Sequence, residues 1–283
     1  MSGGPPVAVV IERWRAHPLA WIHRGEARAI AGELRRAGRE VREVRFREDA
    51  VPELPPGPLL LRLSDPVMQT AAEALGRAGV PYLGPSAAVM ARCYDKWEAH
   101  RIASPGGIDC PGTALATDAA GLSFPLVVKP RRGSDSIGMR IVRDAPIPQR
   151  AGNARYIAQE RIVGAELTVA VIHGCVGMPL RLLLPEGTPH TFARKYLLPP
   201  RRGPLTDAAL AQPVRALALR IATAFGVDWA ARVDLIHETA TGRLRFLECD
   251  VAPLVGPASA FAASLAAGGV TRDEQLELLL RPR

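Results

Sequence analysis

Residues 230–250 read AARVDLIHETATGRLRFLECD, two apolar segments joined by a short polar stretch. The segments at 230–237 and 243–249 are predicted to form the last pair of strands in the chain. Glu248 and Asp250 stand two positions apart, so both side chains point to the same face of their strand. If the two strands pair, Asp234 joins them, and three carboxylates share one surface.

Three carboxylates on one surface repel one another and raise their own pKa values unless a cation neutralises them. Hard oxygen ligands at that density suit Mg²⁺ shared with phosphate oxygens. A solvated acidic strand, or acidic partners for nearby arginines, is the alternative interpretation of the same residues.

The basic residues are strongly biased towards one type. Of the 36 basic residues only three are lysine: Lys96, Lys129 and Lys195. In an arginine-rich chain, lysine is expected to remain where a compact ammonium must reach one phosphate oxygen and a wide guanidinium would not fit. Chance survival is the alternative.

The composition of the chain excludes several classes of protein. Apolar residues make up 48% of the chain and charged residues 23%, as in globular proteins. The net charge is +8, but the arginines form no run and only 14 residues are aromatic, so a nucleic-acid interface is not favoured. The four scattered cysteines predict reduced thiols. No apolar run is long enough to cross a bilayer, and residues 1–15 do not resemble a signal peptide, so a cytoplasmic protein is expected.

Hydrophobic periodicity divides the chain into two kinds of unit. Strands at 6–12, 41–46, 59–63 and 80–83 alternate with helices at 26–38 and 66–79, which predicts a small parallel α/β domain. From residue 85 onwards an α+β arrangement is expected. It begins with one helix that is capped by Ser86 and carries Lys96 near its end. Four further strands are predicted at 124–129, 139–142, 156–162 and 167–173. Three further helices are predicted at 210–225, 258–268 and 271–280.

Two loops carry polar residues suited to a nucleotide. Residues 130–138, PRRGSDSIG, join two predicted strands rather than a strand and a helix, so they form neither a Walker loop nor a Rossmann turn. Their backbone N–H groups could cover a polyphosphate, although taken alone the loop is better explained as a plain hairpin. Glu160 and Glu166 flank a turn where carboxylates could bind ribose hydroxyls; surface glutamates are the alternative.

Six motifs in order carry a family resemblance: DK at 95–96, FPLVVKP at 124–130 with the glycine-bearing loop, QERIVGAELTVAV at 159–171, FARKY at 192–196, ARVDLI at 231–236 and FLECD at 246–250. Over residues 80–283 the chain resembles the ATP-grasp superfamily, and within it the D-alanine–D-alanine ligase group of carboxylate–amine ligases. The resemblance implies a small α/β domain (1–84), a central ATP-grasp subdomain (85–165) and a C-terminal subdomain with the magnesium site (166–283), the last two enclosing ATP.

The resemblance also implies roles for single residues. Lys96 and Lys129 would bind ATP phosphates beneath a loop that includes Ser134 and Ser136. Glu160 and Ile162 would hold adenine, and Glu166 the ribose. The remaining positions would serve the reaction itself. Lys195 and Tyr196 would lie on a loop (188–204) that closes over the site, and Arg232 would stabilise the negative charge that develops during the reaction. Mg²⁺ would be bound by Asp234, Glu248 and Asp250, and the substrates would be contacted by Asp135 and Ser259.

The implied reaction joins a small-molecule carboxylate to an amine, with ATP and Mg²⁺, through an acyl-phosphate. The resemblance further implies a possible homodimer, and the composition predicts no nucleic-acid or membrane partner. The chain departs from the family pattern near the substrates: Asp135 replaces a serine, Asp250 an asparagine, and Leu254 a glycine whose backbone N–H assists the oxyanion. The glycine-rich stretch that the family has in its first domain is also missing, and residues 11–25 read IERWRAHPLAWIHRG instead. We therefore expect ATP chemistry with a substrate other than paired D-alanine; a non-amine or intramolecular acceptor, or a silent ATP-binding or nucleic-acid-binding protein, are the alternatives.

Overall fold

A computed structural model describes residues 6–12, 20–134, 136–144, 146–147, 153–185, 188 and 201–283. Asp135, Lys195 and Tyr196 lie outside the described residues, as does most of the expected closing loop. Within the described part of the chain, no helix is long and apolar enough to cross a membrane.

The amino-terminal unit is a parallel sheet of three strands in the order β2-β1-β3. Its strands and helices are β1 (Val7–Ile11), α1 (Ala20–Arg36), β2 (Val41–Arg45), β3 (Leu59–Arg62) and α2 (Asp65–Arg77). The parallel arrangement confirms the prediction from strand–helix alternation. Two predictions were wrong: α1 begins six residues before 26, and the strand expected at 80–83 is reduced to one bridge between Leu60 and Leu83.

The helix expected to begin after Ser86 is two helices, α3 (Ala87–Tyr94) and α4 (Lys96–Ala103). Asp95 between them is extended, with φ −87° and ψ 104°. Its carboxylate accepts hydrogen bonds from the backbone N–H groups of Trp97 and Glu98, which have no partner inside the helix. The prediction of one continuous helix failed because periodicity does not detect an aspartate that caps a new helix. The break places Lys96 in the first turn of α4.

The central unit is an antiparallel sheet in the order β4-β7-β5-β6. Its strands are β4 (Thr113–Leu115), β5 (Leu126–Pro130), β6 (Arg140–Val142) and β7 (Tyr156–Glu160). The pairing of β5 with β6 confirms that the glycine-bearing loop joins a hairpin. Leu126, Val128 and Ala158 form a small buried core under this sheet.

The carboxyl-terminal unit is a six-stranded antiparallel sheet around β8, β12 and β13. Its elements are β8 (Gly164–Ile172), β9 (Cys175–Val176), β10 (Leu180–Leu182), β11 (Arg202–Pro204), α5 (Ala208–Ala224), β12 (Ala230–Glu238), β13 (Leu244–Asp250), α6 (Ala260–Ala267) and α7 (Arg272–Leu280). One buried cluster joins Val9 and Ile30 of the first unit to Trp229 and Phe261 of this one. The start of β12 is thereby packed against the amino-terminal unit.

Candidate active site

The paired strands β12 and β13 bring the three predicted carboxylates together. Asp234 lies opposite Glu248, and Arg232 lies opposite Asp250. Asp234 also accepts a hydrogen bond from Thr168 Oγ1 of β8 at 2.7 Å. The predicted pairing is therefore present, and the carboxylates occupy one patch of the sheet.

Arg232 lies between two of these carboxylates. Its Nη2 is 2.8 Å from Asp234 Oδ2 and its Nη1 is 3.0 Å from Asp250 Oδ2. Burial lowers the pKa of Arg232, but the charges of Asp234 and Asp250 more than compensate and raise it well above its ordinary value. Arg232 thus remains a fixed positive charge inside the acidic patch.

Asp250 experiences the repulsion expected of crowded carboxylates. Burial and the charges of Glu248 and Asp234 raise the pKa of Asp250 to about 6, against the opposing effect of Arg232. Among the described residues, no group of three or more acidic, histidine or cysteine side chains is arranged ready to enclose a metal ion. The donor set is nevertheless hard oxygen with an excess of negative charge, which fits Mg²⁺. The three residues expected to hold it are Asp234, Glu248 and Asp250.

Lys96 connects the acidic patch to the glycine-bearing loop. Its Nζ donates to the carbonyl of Gly133 and lies 3.6 Å from Glu248 Oε1. Because Lys96 sits in the first turn of α4, its position follows from the break at Asp95. Asp95 is in turn held by Arg131, whose Nη2 is 2.8 Å from its Oδ2.

The other predicted nucleotide residues lie around the central sheet. Lys129 on β5 donates from Nζ to Gln159 Oε1 at 3.0 Å. Glu160 accepts a hydrogen bond from the backbone N–H of Ser123 at 3.0 Å. Ile162 follows the end of β7 and is half-buried. Ser136 adopts φ +58° in the glycine-bearing loop.

A cavity of about 260 Å³ opens over the acidic patch. Seven of the predicted site residues line it: Ser134, Glu166, Arg232, Asp234, Glu248, Asp250 and Ser259. Lys96, Lys129, Ser136, Glu160 and Ile162 lie outside its lining. Their nucleotide roles stay predictions, as do those of Asp135, Lys195 and Tyr196.

Several lining residues were missed from the sequence. Arg202 on β11 faces the same cavity as Arg232, and burial together with the Arg232 charge lowers its pKa. Arg202 therefore adds a second guanidinium to a cavity that is otherwise lined by several carboxylates. His23 of α1 and Asp65 of α2 reach the cavity from the amino-terminal unit. No local pattern marks these three residues, since only the packing of distant units brings them to one cavity.

Comparison with solved structures identifies the class of fold to which this protein belongs. A Bacillus anthracis D-alanine–D-alanine ligase structure superposes with a TM-score of 0.81 over 97% of this chain and 95% of that one, at 19% identity. The VanG D-Ala:D-Ser ligase of Enterococcus faecalis superposes at 0.79 over 97% and 98%, at 18% identity. The architecture is therefore that of the ATP-grasp proteins, as the sequence predicted.

Sequence comparison narrows the class to a family. Residues 111–281 match the family model described as D-ala D-ala ligase C-terminus, and the chain belongs to that family. The D-alanine–D-alanine ligase of Stutzerimonas stutzeri is 34% identical over 62% of this chain, and that of Thermotoga maritima is 29% identical over 72%. These matches span 60% and 71% of the respective relatives.

Proposed function

We propose that the protein is an ATP-dependent ligase that joins a carboxylate to an amine and releases ADP and phosphate. The observation that carries the proposal is the cavity into which Arg232, Asp234, Glu248 and Asp250 converge, with Lys96 connecting Glu248 to the glycine-bearing loop. Family membership over residues 111–281 supports the same reaction class.

The residues of the cavity suit this chemistry. A carboxylate is a poor electrophile, so its oxygen first attacks the γ-phosphate of ATP, and the resulting acyl-phosphate then accepts the amine. Lys96 and Arg202 supply positive charge where the phosphoryl group transfers, and Arg232 faces the oxygen that becomes negative when the amine attacks. Asp234, Glu248 and Asp250 would hold Mg²⁺, which would supply further charge neutralisation at the phosphate oxygens.

We further propose that the substrates are not two D-alanines. The curated relatives are named for that pair, and they argue for D-alanine. The cavity wall nearest the amino-terminal unit supports a change, because it carries an ionisable His23 and a carboxylate at Asp65. Leu254, with a bulky side chain where the family has glycine, also lines the cavity. His23 and Asp65 favour an amino acid with a polar or cationic side chain, and Leu254 reduces the room beside it.

A single assay tests both parts. Purified protein is incubated with Mg-ATP and either D-alanine or a panel of L- and D-amino acids, singly and in pairs, while ADP release and product mass are followed. We expect amide formation with a pair other than D-alanine. Efficient D-alanyl-D-alanine synthesis would contradict the change of substrate but support the ligase. Mg-ATP that neither binds nor is consumed would contradict both parts.

A further inference from the structure

A buried ion pair joins two elements of the amino-terminal unit. Arg62 at the end of β3 and Glu26 on α1 meet through two contacts, Nε to Oε2 at 3.1 Å and Nη2 to Oε1 at 3.3 Å. The Arg62 side chain is fully buried and that of Glu26 is 9% exposed. A buried ion pair is weak evidence for stability, because apolar side chains of similar volume stabilise a fold about as well. The pair therefore suggests a role in orientation.

The pair contacts the segment between β13 and α6, residues 251–259, which we call the cavity loop. Arg62 Nη2 donates to the carbonyl of Pro253 at 2.6 Å. Glu26 Oε1 accepts from the backbone N–H of Gly256 at 2.8 Å and from that of Val255. Glycine is required at 256, since a Cβ there would lie 2.8 Å from Glu26 Cγ. One ion pair thus fixes three backbone groups of the cavity loop.

The contact with Pro253 sets the direction of the next amide. A trans peptide unit is planar, so its C=O and N–H point in opposite directions. Arg62 holds the carbonyl of the peptide unit whose N–H belongs to Leu254, and Glu26 holds the N–H of the unit that follows. The two peptide units that flank the Leu254 Cα are therefore both fixed, and Leu254 lines the cavity beside Asp250.

The rest of the cavity loop is tied to the same helix. Arg272 at the start of α7 donates from Nη1 to the carbonyl of Val255 at 3.1 Å and pairs through Nη2 with Glu33 of α1 at 2.6 Å. Ser259, which caps α6 and lines the cavity, donates from its backbone N–H to Gly256 O at 3.0 Å. Arg62 of β3 and the two glutamates Glu26 and Glu33 of α1 therefore align the loop from Pro253 to Ser259.

We propose that Glu26 and Arg62 are positioning residues that align the Leu254 N–H with the reacting substrate carbonyl and Ser259 with the second substrate. This inference rests on the proposed ligase function. The pair acts through the cavity loop and does not touch the substrates. Its loss is expected to slow turnover without weakening nucleotide binding, because the nucleotide contacts lie on other elements.

The test replaces both charges with apolar side chains of similar volume. Removing one partner alone leaves a buried charge and endangers folding, whereas the double variant Glu26→Leu/Arg62→Met retains the packing. We expect the double variant to stay folded but to melt below the wild-type temperature, because three buried backbone groups of the cavity loop lose their partners. With the amino acids turned over fastest in the panel above, its kcat should fall about 100-fold, the loss seen when an oxyanion donor is removed. Its KM for ATP should stay within about twofold.

The matched control breaks another ion pair between the same regions. Glu277→Gln removes the contact of Arg39 with Glu277 of α7, a distance of 2.8 Å, without touching the cavity loop. This variant should keep wild-type kcat. A folded double variant whose kcat lies within about threefold of wild type would overturn the proposal.

Hydrogen exchange separates failure of this inference from failure of the proposed function. In the double variant the amides of Val255, Gly256 and Ser259 should exchange at least about tenfold faster, while those of β12 and β13 are unchanged. Unchanged exchange in the cavity loop would overturn the positioning role whatever the activity. Absence of amide formation by the wild-type protein would instead remove the ligase function, and with it the catalytic purpose of the pair.

Discussion

Lys129 is one of the three lysines in this arginine-rich chain, and its replacement by arginine tests whether lysine is chemically required at this position. Its Nζ donates to Gln159 Oε1 at 3.0 Å, and Gln159 Nε2 in turn donates to Thr113 Oγ1 at 3.0 Å. A guanidinium is broader than an ammonium and cannot take the same position on one oxygen. We predict that Lys129→Arg weakens Mg-ATP binding about tenfold or more, equivalent to about 1.4 kcal/mol, by isothermal titration.

The control for this variant is Arg143→Lys, which exchanges the same two residue types at an exposed position just after β6. It should leave ATP affinity unchanged. Equal affinity of Lys129→Arg and the wild type would refute the expectation that lysine is required at this position.

Asp250 gives a pH-dependent prediction at the same scale. Its pKa in the folded protein is raised from 3.8 to about 6, chiefly by burial and then by Glu248 and Asp234. The unfolded state therefore releases this proton first, and the free energy of unfolding falls as pH rises between those two values. In metal-free buffer, Asp250→Asn should gain stability relative to wild type from pH 4 to pH 7, as measured by urea unfolding. A difference that does not change with pH would contradict the assignment.

At the scale of elements, Asp95 couples α4 to the glycine-bearing loop. It caps α4 and pairs with Arg131, whose Nε donates to its Oδ1 at 3.1 Å and Nη2 to its Oδ2 at 2.8 Å. Burial raises the pKa of Asp95, but the hydrogen bond and charge of Arg131 outweigh it and lower the pKa overall. The stabilisation is present above the unfolded pKa of about 3.9 and is lost as pH falls through the folded value.

We predict that Asp95→Asn lowers the free energy of unfolding by about 2 kcal/mol at pH 7, since the ion pair with Arg131 is lost while asparagine still caps α4. The difference from wild type should shrink below pH 4. Urea unfolding at the two pH values measures it, and Asp118→Asn, at an exposed position outside these contacts, serves as the control. A constant difference at both pH values would show that the charge of Asp95 is not involved.

The elements themselves differ in how far local sequence predicts them. The strands at 230–238 and 244–250 were predicted within one residue, because apolar side chains and turn residues mark their ends. The early start of α1 and the break at Asp95 were missed. The break is a local effect of capping by Asp95, which hydrophobic periodicity does not detect.

At the scale of the whole molecule, ligand binding should stabilise the fold. If ATP binds in the cavity, Mg-ATP at about 100 times its Kd adds about 2.7 kcal/mol to the free energy of unfolding. The melting temperature should rise with Mg-ATP and rise less with ATP in EDTA, since the acidic patch then repels the phosphates. A thermal shift that is equal with and without Mg²⁺ would argue against metal ligation by the three carboxylates.

The sequence by itself determined the ATP-grasp architecture, the strand pair that carries Asp234, Glu248 and Asp250, and the family. The strand pair follows from the alternation of apolar and polar residues, whereas the architecture and the family follow from the resemblance that six motifs in order carry. Only the tertiary structure decided that Arg232 lies between two carboxylates, that His23 and Asp65 reach the cavity, and that Glu26 and Arg62 hold its loop. The physical reason is separation along the chain, because Arg62 contacts Pro253 at a distance of 191 residues, and such contacts arise only when separate units pack together.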